Sequence, residues 1–509
     1  MPHESAVTLF RGVSVYDPSV EAAMRGPLDV LIEAGRITRI AKTIEPPPGA
    51  RQIAGIQHLL MPGLVNGHFH SSVNHMKGRL PGLPLEIFML YESPALDVLM
   101  PTPREAYLRT MLAAIEMLKS GTTAVQDDAF FVPQPTTEII DAVCQAYADC
   151  GIRATVALDE PQVPELEKLP FLADLVPPHI LDELSRSPAL GREDLLGLYD
   201  HLITKWHGHA NGRIRAAVSC SAPQRVTTDY FHTLDELSRD HQIPFYAHML
   251  ETKLQRVLGI EKYGGRSLIR YVHDLGLLSE RMNIIHAIWV DDADLDLIAA
   301  SGAAVAHNPI SNLRLGSGVM PFRRMRERNI PICLGVDEAI ADDAVNMWSV
   351  IKTAGMIHNL SEADYRRWPQ AAEIMDCAIE GGARAMGMQG KLGRVDVGQI
   401  ADLILIDLRS MAFSPLNDLQ RQLVHCEDGR SVAMTMVDGQ IVAERGTTTL
   451  VNEADILAEA REIFSRKAPA LADAAAAMNR LLPFYDEMYF KAAAVDVGMN
   501  RKLGETRSS

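Results

Sequence analysis

The sequence predicts an α/β fold: a (β/α)8 TIM-like barrel of parallel strands, with a small β-sandwich built from both chain ends and a C-terminal helical tail. Three observations predict it. Apolar, strand-like runs alternate with helix-length segments through the middle of the chain. Several of those runs finish on a histidine or an aspartate. Short strand-like runs recur before residue 60 and again after residue 400, separated by turn residues.

The elements follow in order. Residues 1–60 read as the first part of the sandwich, 61–390 as the barrel, 391–450 as the second part of the sandwich and 451–509 as the helical extension. Early runs at 9–10, 13–16, 29–32 and 36–40 are punctuated by Glu33-Ala34-Gly35 and Pro46-Pro47-Pro48-Gly49. Strands so short need partners, and 401–407 with 433–442 supply them. The barrel opens with Leu59, Leu60, Met61, Leu64 and Val65, an apolar lead into His68 and His70. Further strands are expected at 122–126, 153–158, 214–219, 244–248, 283–286, 303–307 and 332–337. Helices are expected at 103–119, 226–240, 266–279, 292–301, 318–328 and 343–357. An open doubly wound sheet competes, but no glycine-rich phosphate turn follows the first strand. The tail from about 453 reads as a packing or dimer helix, alanine-rich at 470–477.

With 509 residues, 47% of them hydrophobic, the chain can bury a large core. A formal net charge of −16 argues against nucleic acid or an anionic membrane as the main partner. The six cysteines are scattered, without a CxxC pair, as suits a reducing compartment. The N-terminus lacks the basic stretch and apolar core of a signal peptide, and no apolar run reaches membrane-spanning length. The expectation is a soluble cytoplasmic protein acting on a small molecule.

Chemistry concentrates at the strand ends. In a strand, side chains alternate faces, so His68 and His70 share one face and form half of a transition-metal site. His248 closes 243–248 and is followed three residues later by Glu251; His286 closes 283–286; His307 closes 303–307; Asp337 closes 332–337. Polar groups ending apolar runs are costly to bury without a partner, and barrels collect catalytic groups at these ends. The set reads as a metal centre.

Pro62-Gly63-Leu64-Val65-Asn66-Gly67-His68-Phe69-His70 resembles the first-strand motif of the amidohydrolase superfamily. His248-Met249-Leu250-Glu251, His307-Asn308-Pro309-Ile310-Ser311-Asn312-Leu313 and Gly335-Val336-Asp337 resemble one branch of it. That branch holds chlorotriazine hydrolases, cytosine and guanine deaminases, and methylthioadenosine/S-adenosylhomocysteine deaminases. The resemblance spans about residues 8–450. It implies one divalent metal per chain, zinc ahead of iron, held by His68, His70, His248 and Asp337. It implies Glu251 as proton shuttle, His286 as a catalytic residue orienting the water, and Asp337 as both ligand and proton acceptor. A homodimer or larger homo-oligomer is also a family expectation. Binuclear branches carry a bridging lysine at the fourth strand end; here that end reads Val218-Ser219-Cys220-Ser221-Ala222-Pro223-Gln224, which argues for one metal, with Cys220 read as a buried thiol ahead of a bridging ligand.

The long segment 71–100 after the first strand is expected to form the pocket. Phe88 and Tyr91 are candidates to stack on a flat ring, Glu92 and Asp97 to hold a polar substrate edge, and His75 to touch substrate or pack a loop. Gln224 offers an amide to a heterocycle edge, and His307 lines the pocket or supports its loops. Asp127, Asp128, Asp159 and Glu160 end the second and third strands. A second HxH, His207-Gly208-His209, reads as an exposed loop. Two departures from nucleoside-processing relatives, the missing histidine near 221–222 and the acidic turn Glu338-Ala339-Ile340-Ala341-Asp342-Asp343, favour an amine-rich substrate over a ribose-bearing one. The reading is hydrolytic deamination of an aminopurine, aminopyrimidine, pterin or triazine. The alternatives are amide, urea or carbamate hydrolysis or triazine dehalogenation at the same centre, and a catalytically silent binding barrel.

Overall fold

A computed structural model of the chain describes residues 7–94 and 96–502. The chain opens with β1 (Thr8–Tyr16), β2 (Met24–Glu33), β3 (Arg36–Ala41), β4 (Arg51–Ala54) and β5 (His58–Pro62). It then builds parallel strands β6 (Leu64–His70), β7 (Thr122–Ala129), β8 (Arg153–Leu158), β9 (Ile214–Ala216), β10 (Val218–Ser219), β11 (Phe245–Met249), β12 (Met282–His286), β13 (Ala304–His307), β14 (Ile332–Leu334) and β15 (Asp337–Glu338). It ends its strands with β16 (Leu403–Asp407), β17 (Val432–Val437), β18 (Gln440–Glu444) and β19 (Thr447–Thr448).

The middle strands close a barrel. Two parallel sheets run β15-β6-β7-β8-β9 and β10-β11-β12-β13-β14. Ala217 alone separates β9 from β10, and Gly335-Val336 separate β14 from β15, so these are halves of the fourth and eighth strands. The ring shuts where Asp337 pairs with Phe69 and Glu338 with His70. Gly67 sits at that seam: a Cβ there would lie 2.6 Å from Cys333 Sγ and 2.9 Å from the Leu334 carbonyl. Ala157, Ala217, Tyr246, Ile285, Ala306 and Cys333 pack together, one from each of six successive barrel strands. They form the barrel interior.

The terminal strands form one nine-stranded sheet, ordered β19-β18-β17-β16-β5-β1-β2-β3 with β4 beside β1. It rolls over its own core of Phe10, Val15, Val30, Ile32, Leu60, Leu405 and Met436, so one sheet serves as both faces of the expected sandwich. The roll closes where Ala401 N–H donates to the Gly35 carbonyl and Gly439 N–H to that of Ala401. Sheet and barrel are joined by Arg153 of β8, whose guanidinium donates twice to the Asp402 carboxylate just before β16.

Capping residues account for the helix starts. Thr102 and Glu105 form a capping box at Pro103–Lys119, and Asp291 and Asp294 form one at Asp292–Ser301. The tail makes two helices, Glu453–Met478 and Leu482–Ala493. Met478, Leu481, Tyr485, Met488 and Ala492 pack on Ile87, Leu90, Leu172, Leu254 and Val257, in loops and helices that follow the first, third and fifth barrel strands. The tail therefore covers the barrel face where the strands end. Among the described residues no helix is long and apolar enough to cross a membrane.

Candidate metal centre

Strand geometry brings distant residues to one point. Beyond the strands the backbone bends sharply: Ser221, Leu250, His286, Ala287 and Asp337 all take positive φ, from 46° to 74°. Non-glycine residues rarely accept this, and such strain gathers at functional sites. His68, His70, His248, His286 and Asp337 are all buried. His68 Nε2 lies 3.2 Å from His248 Nε2 and 3.4 Å from Asp337 Oδ1. His70 Nε2 is 3.6 Å from Asp337 Oδ1, and His286 Nε2 is 3.6 Å from Asp337 Oδ2.

The outer ring nitrogens are occupied. His70 Nδ1 donates to the Asp128 carbonyl, His248 Nδ1 to the Ser221 carbonyl at 2.7 Å, and His286 Nδ1 to Asn312 Oδ1 at 2.9 Å. Each bond selects the tautomer whose Nε2 lone pair faces the shared point. Burial pushes His68 down to about 3 and holds His248 well below the usual imidazole range, so both rings stay neutral. Burial alone would raise Asp337, but the hydrogen bond from His68 and the neighbouring imidazoles outweigh it and keep the carboxylate ionised. Donors ~2.0–2.1 Å from a tetrahedral cation stand ~3.3–3.4 Å apart. The spacings observed here fit donors gathered around a divalent ion.

Glu251 sits beside this set, with Oε2 3.4 Å from His286 Nε2 and Oε1 3.4 Å from Ser317 Oγ. Burial, with the charges of Asp337 and Glu86 behind it, pushes its carboxyl well above the usual range, so it holds a proton readily. Asp128, Asp159 and His248 also approach one another, with His248 Nδ1 donating to the Ser221 carbonyl. Asp127 accepts from Tyr147 Oη at 2.8 Å and from Ser71 N–H, and Glu160 from Phe131 N–H, all scaffold contacts. Cys220 is buried with its thiol towards the Tyr246 carbonyl and belongs to none of the ligand clusters among the described residues. His207 accepts from Ala216 N–H, far from any cluster of ligands.

Several expected pocket residues are placed elsewhere. Phe88 is buried among Val73, Met76, Leu80, Leu315 and Ile340, so it packs the scaffold instead of presenting a face to a ring. Tyr91 Oη donates to Asn479 on the C-terminal helix, and Asp97 is exposed. Ala306 points into the barrel, so His307 points outward and meets His358, Nε2 to Nε2 at 3.1 Å. His75 is half-buried against Phe464 of the tail, with no hydrogen-bond partner for either ring nitrogen among the described residues. Gln224 is buried in the turn after β10, its Oε1 unpartnered. Glu92 is buried and faces Glu338.

The sequence reading missed Glu86 and Ser317, and gave Asn312 no role beyond its place in a motif. Glu86 is a buried acid in the helix Leu85–Glu92, bonded to Thr252 Oγ1 at 2.5 Å, and its place among Leu85, Ile87 and Phe88 was the available signal. Ser317 carries no such signal.

Residues 59–442 match the Amidohydrolase family. A 5'-deoxyadenosine deaminase of Methanosarcina mazei is 29% identical over 88% of this chain and 95% of its own length. A 5-methylthioadenosine/S-adenosylhomocysteine deaminase of Syntrophomonas wolfei is 29% identical over 81% of this chain and 87% of its own. Among solved structures, an adenosine deaminase from Xanthomonas campestris with bound zinc superposes with a TM-score of 0.78 at 24% identity, covering 91% of this chain and 98% of that one. The zinc-complexed atrazine chlorohydrolase of Arthrobacter aurescens TC1 gives 0.76 at 21%, covering 89% and 99%. The motif at the first barrel strand, the ring of parallel strands and the match across most of the chain agree: this protein belongs to the amidohydrolase family.

Proposed function

We propose that this protein is a metal-dependent deaminase that replaces an exocyclic amine of a nitrogen heterocycle, an aminopurine before others, with oxygen from water. The observation that carries the reading is that His68, His70 and His248 draw together, with Asp337 close to His68 and His70 and Glu251 beside His286. The similarity to deoxyadenosine and methylthioadenosine deaminases supports an aminopurine ring. Those four side chains would hold one divalent ion, zinc before iron. When bound, such an ion lowers the pKa of water towards ~7 and so supplies a nucleophile at neutral pH.

The remaining work falls to side chains. Attack at a C=N carbon puts negative charge on the ring nitrogen, so a proton donor beside it is the chief requirement. Glu251 serves first as base, taking one proton of water, then as acid, passing that proton to the ring nitrogen. His286, facing Glu251 and Asp337, positions the attacking oxygen by hydrogen bonding. Asp337, held ionised, accepts the second proton of water and returns it to the departing amine, which leaves as ammonia.

The test is ammonia release from zinc-loaded protein across aminopurines, their nucleosides, aminopyrimidines, pterins and triazines, with ureas and chlorotriazines as controls. Ammonia from a ring amine is expected. Cleavage of ureas or release of chloride, with no ammonia from any ring amine, overturns the reading.

A further inference from the structure

One cavity of this acidic protein is walled by basic side chains. It holds about 310 Å³ and lies between residues 319–324, which lead into the helix Phe322–Glu327, the segment 358–369 and the last described residues, 500–502. Arg323, Arg324, Arg367, Arg501 and Lys502 line it, against the single carboxylate of Glu362. The chain as a whole has 65 acidic residues to 49 lysines and arginines, so the lining reverses its charge. No residue of the metal centre belongs to these walls. The two sites share only a loop: Ser317 touches Glu251, while Val319 and Met320 line the cavity.

Three of these cations have carboxylates of their own. Arg323 reaches both oxygens of Glu373 at 2.8 and 2.7 Å, Arg324 pairs with Asp292, and Arg367 pairs with Glu327 and Glu362. Arg501 and Lys502 have no carboxylate partner among the described residues. Arg501 Nη2 donates to the Val290 carbonyl at 2.6 Å and Lys502 Nζ to Tyr489 Oη at 3.2 Å. Arg501 Nε is buried with no hydrogen-bond partner at all. Its backbone is fixed, since the Arg501 carbonyl accepts Val319 N–H at 2.8 Å. Burial, and then the charge of Arg324, pulls the Arg501 guanidinium down to about 10. A desolvated cation held in place without an anion costs free energy, and a bound anion would remove that cost.

We infer that this cavity binds the phosphate monoester of a small, largely apolar molecule, with Arg501 and Lys502 holding the phosphate. The site is separate from the metal centre and stands whatever ring that centre acts on. Two cations without carboxylates match a phosphate monoester, which carries about −1.5 to −2 at neutral pH, better than a carboxylate with its single charge. A guanidinium offers paired N–H donors to phosphate oxygens, and the lysine adds a point charge. The rest of the wall is apolar, from Met320, Phe322, Leu360 and Pro369, with Phe322 stacked on His358 at 4.9 Å between ring centres. The volume stands at the small end of ligand sites, roughly 300–1,000 Å³, which leaves room for a body beyond the phosphate itself.

The experiment is calorimetric binding of phenyl phosphate, inorganic phosphate and benzoate to the zinc-loaded parent, Arg501→Met, Lys502→Met and Glu362→Gln. Phenyl phosphate should bind the parent about tenfold or more tighter than either of the other two, and more weakly as sodium chloride is raised. Arg501→Met and Lys502→Met should each weaken it about tenfold or more, the worth of one charge-assisted hydrogen bond. Glu362→Gln removes the carboxylate of the cavity and should tighten binding about twofold or more, a gain that loss of folding stability would not produce. If Arg501→Met does not fold, as its melting temperature without ligand would show, Lys502→Met and Glu362→Gln still decide the matter. Affinity for phenyl phosphate unchanged in the cation variants overturns the inference, because the anion is then held elsewhere, at the metal centre included. So does benzoate bound as tightly as phenyl phosphate, which marks a carboxylate site, or inorganic phosphate bound as tightly, which leaves the apolar wall without a role. Failure of phenyl phosphate to bind the parent at millimolar concentration overturns it outright.

Discussion

Replacing Asp402 with alanine should cost this protein about 3–5 kcal/mol, because it strands a desolvated guanidinium. The Arg153 and Asp402 side chains are 2% and 3% exposed. Arg153 Nε and Nη2 reach the two carboxylate oxygens at 2.6 and 3.0 Å. The same carboxylate accepts Asp438 N–H at 2.8 Å, so one side chain ties β8 of the barrel to the turn between β17 and β18. Unfolding entropy of ~2.1 cal/mol/K per residue, over 509 residues, gives roughly 1.1 kcal/mol/K, and so a melting temperature lower by about 3–5 °C. Calorimetry and urea unfolding would measure it, with Arg153→Met/Asp402→Leu as the control. Removing both charges should recover much of the loss, since a buried pair replaced by apolar groups is often neutral. A shift under about 1 °C for Asp402→Ala would refute the reasoning, for it would mean that water reaches the guanidinium.

Two further outcomes follow from the site. Glu251→Gln keeps the side-chain shape while removing the carried proton, so kcat should fall about 10²–10⁴-fold with zinc content unchanged by elemental analysis; parental turnover would remove Glu251 from the proton path. Gly67→Ala would drive a methyl to 2.6 Å from Cys333 Sγ and 2.9 Å from the Leu334 carbonyl, a backbone atom that cannot rotate away. It should cost about 1–3 kcal/mol or more by overpacking, read as a lowered urea midpoint and reduced zinc content, because the same seam carries His68.

Much of the site was legible because its signals are local. His68 and His70 share a face by the period of a strand, and His248, His286 and Asp337 each end an apolar run that the structure makes β11, β12 and the β14–β15 strand. The helix expected at 292–301 appears with those bounds because Asp291 and Asp294 cap it within one turn. Other features depend on partners far along the chain. The fourth and eighth strands break at Ala217 and at Gly335-Val336, and a continuous run was expected at each. His307 turns from the barrel interior towards His358, and its own short run could not say which residues face inward. Phe88 and Tyr91 are indistinguishable in sequence from ring-stacking aromatics, and only the bodies around them show that they support the cover.

The order of strand and helix, the two ends meeting in a small sheet, and which imidazoles and carboxylates gather at the strand ends were determined by the amino-acid sequence alone. Each is written in spacing over a few residues, where backbone period and burial cost act directly. Tertiary structure decided the rest: the closing seam of the barrel, the roll of the terminal strands into one sheet, the tail over the mouth, and the meeting of Glu92 with Glu338 across more than two hundred residues. Those contacts depend on how separate elements pack, and packing is a property of pairs of surfaces that no single segment contains.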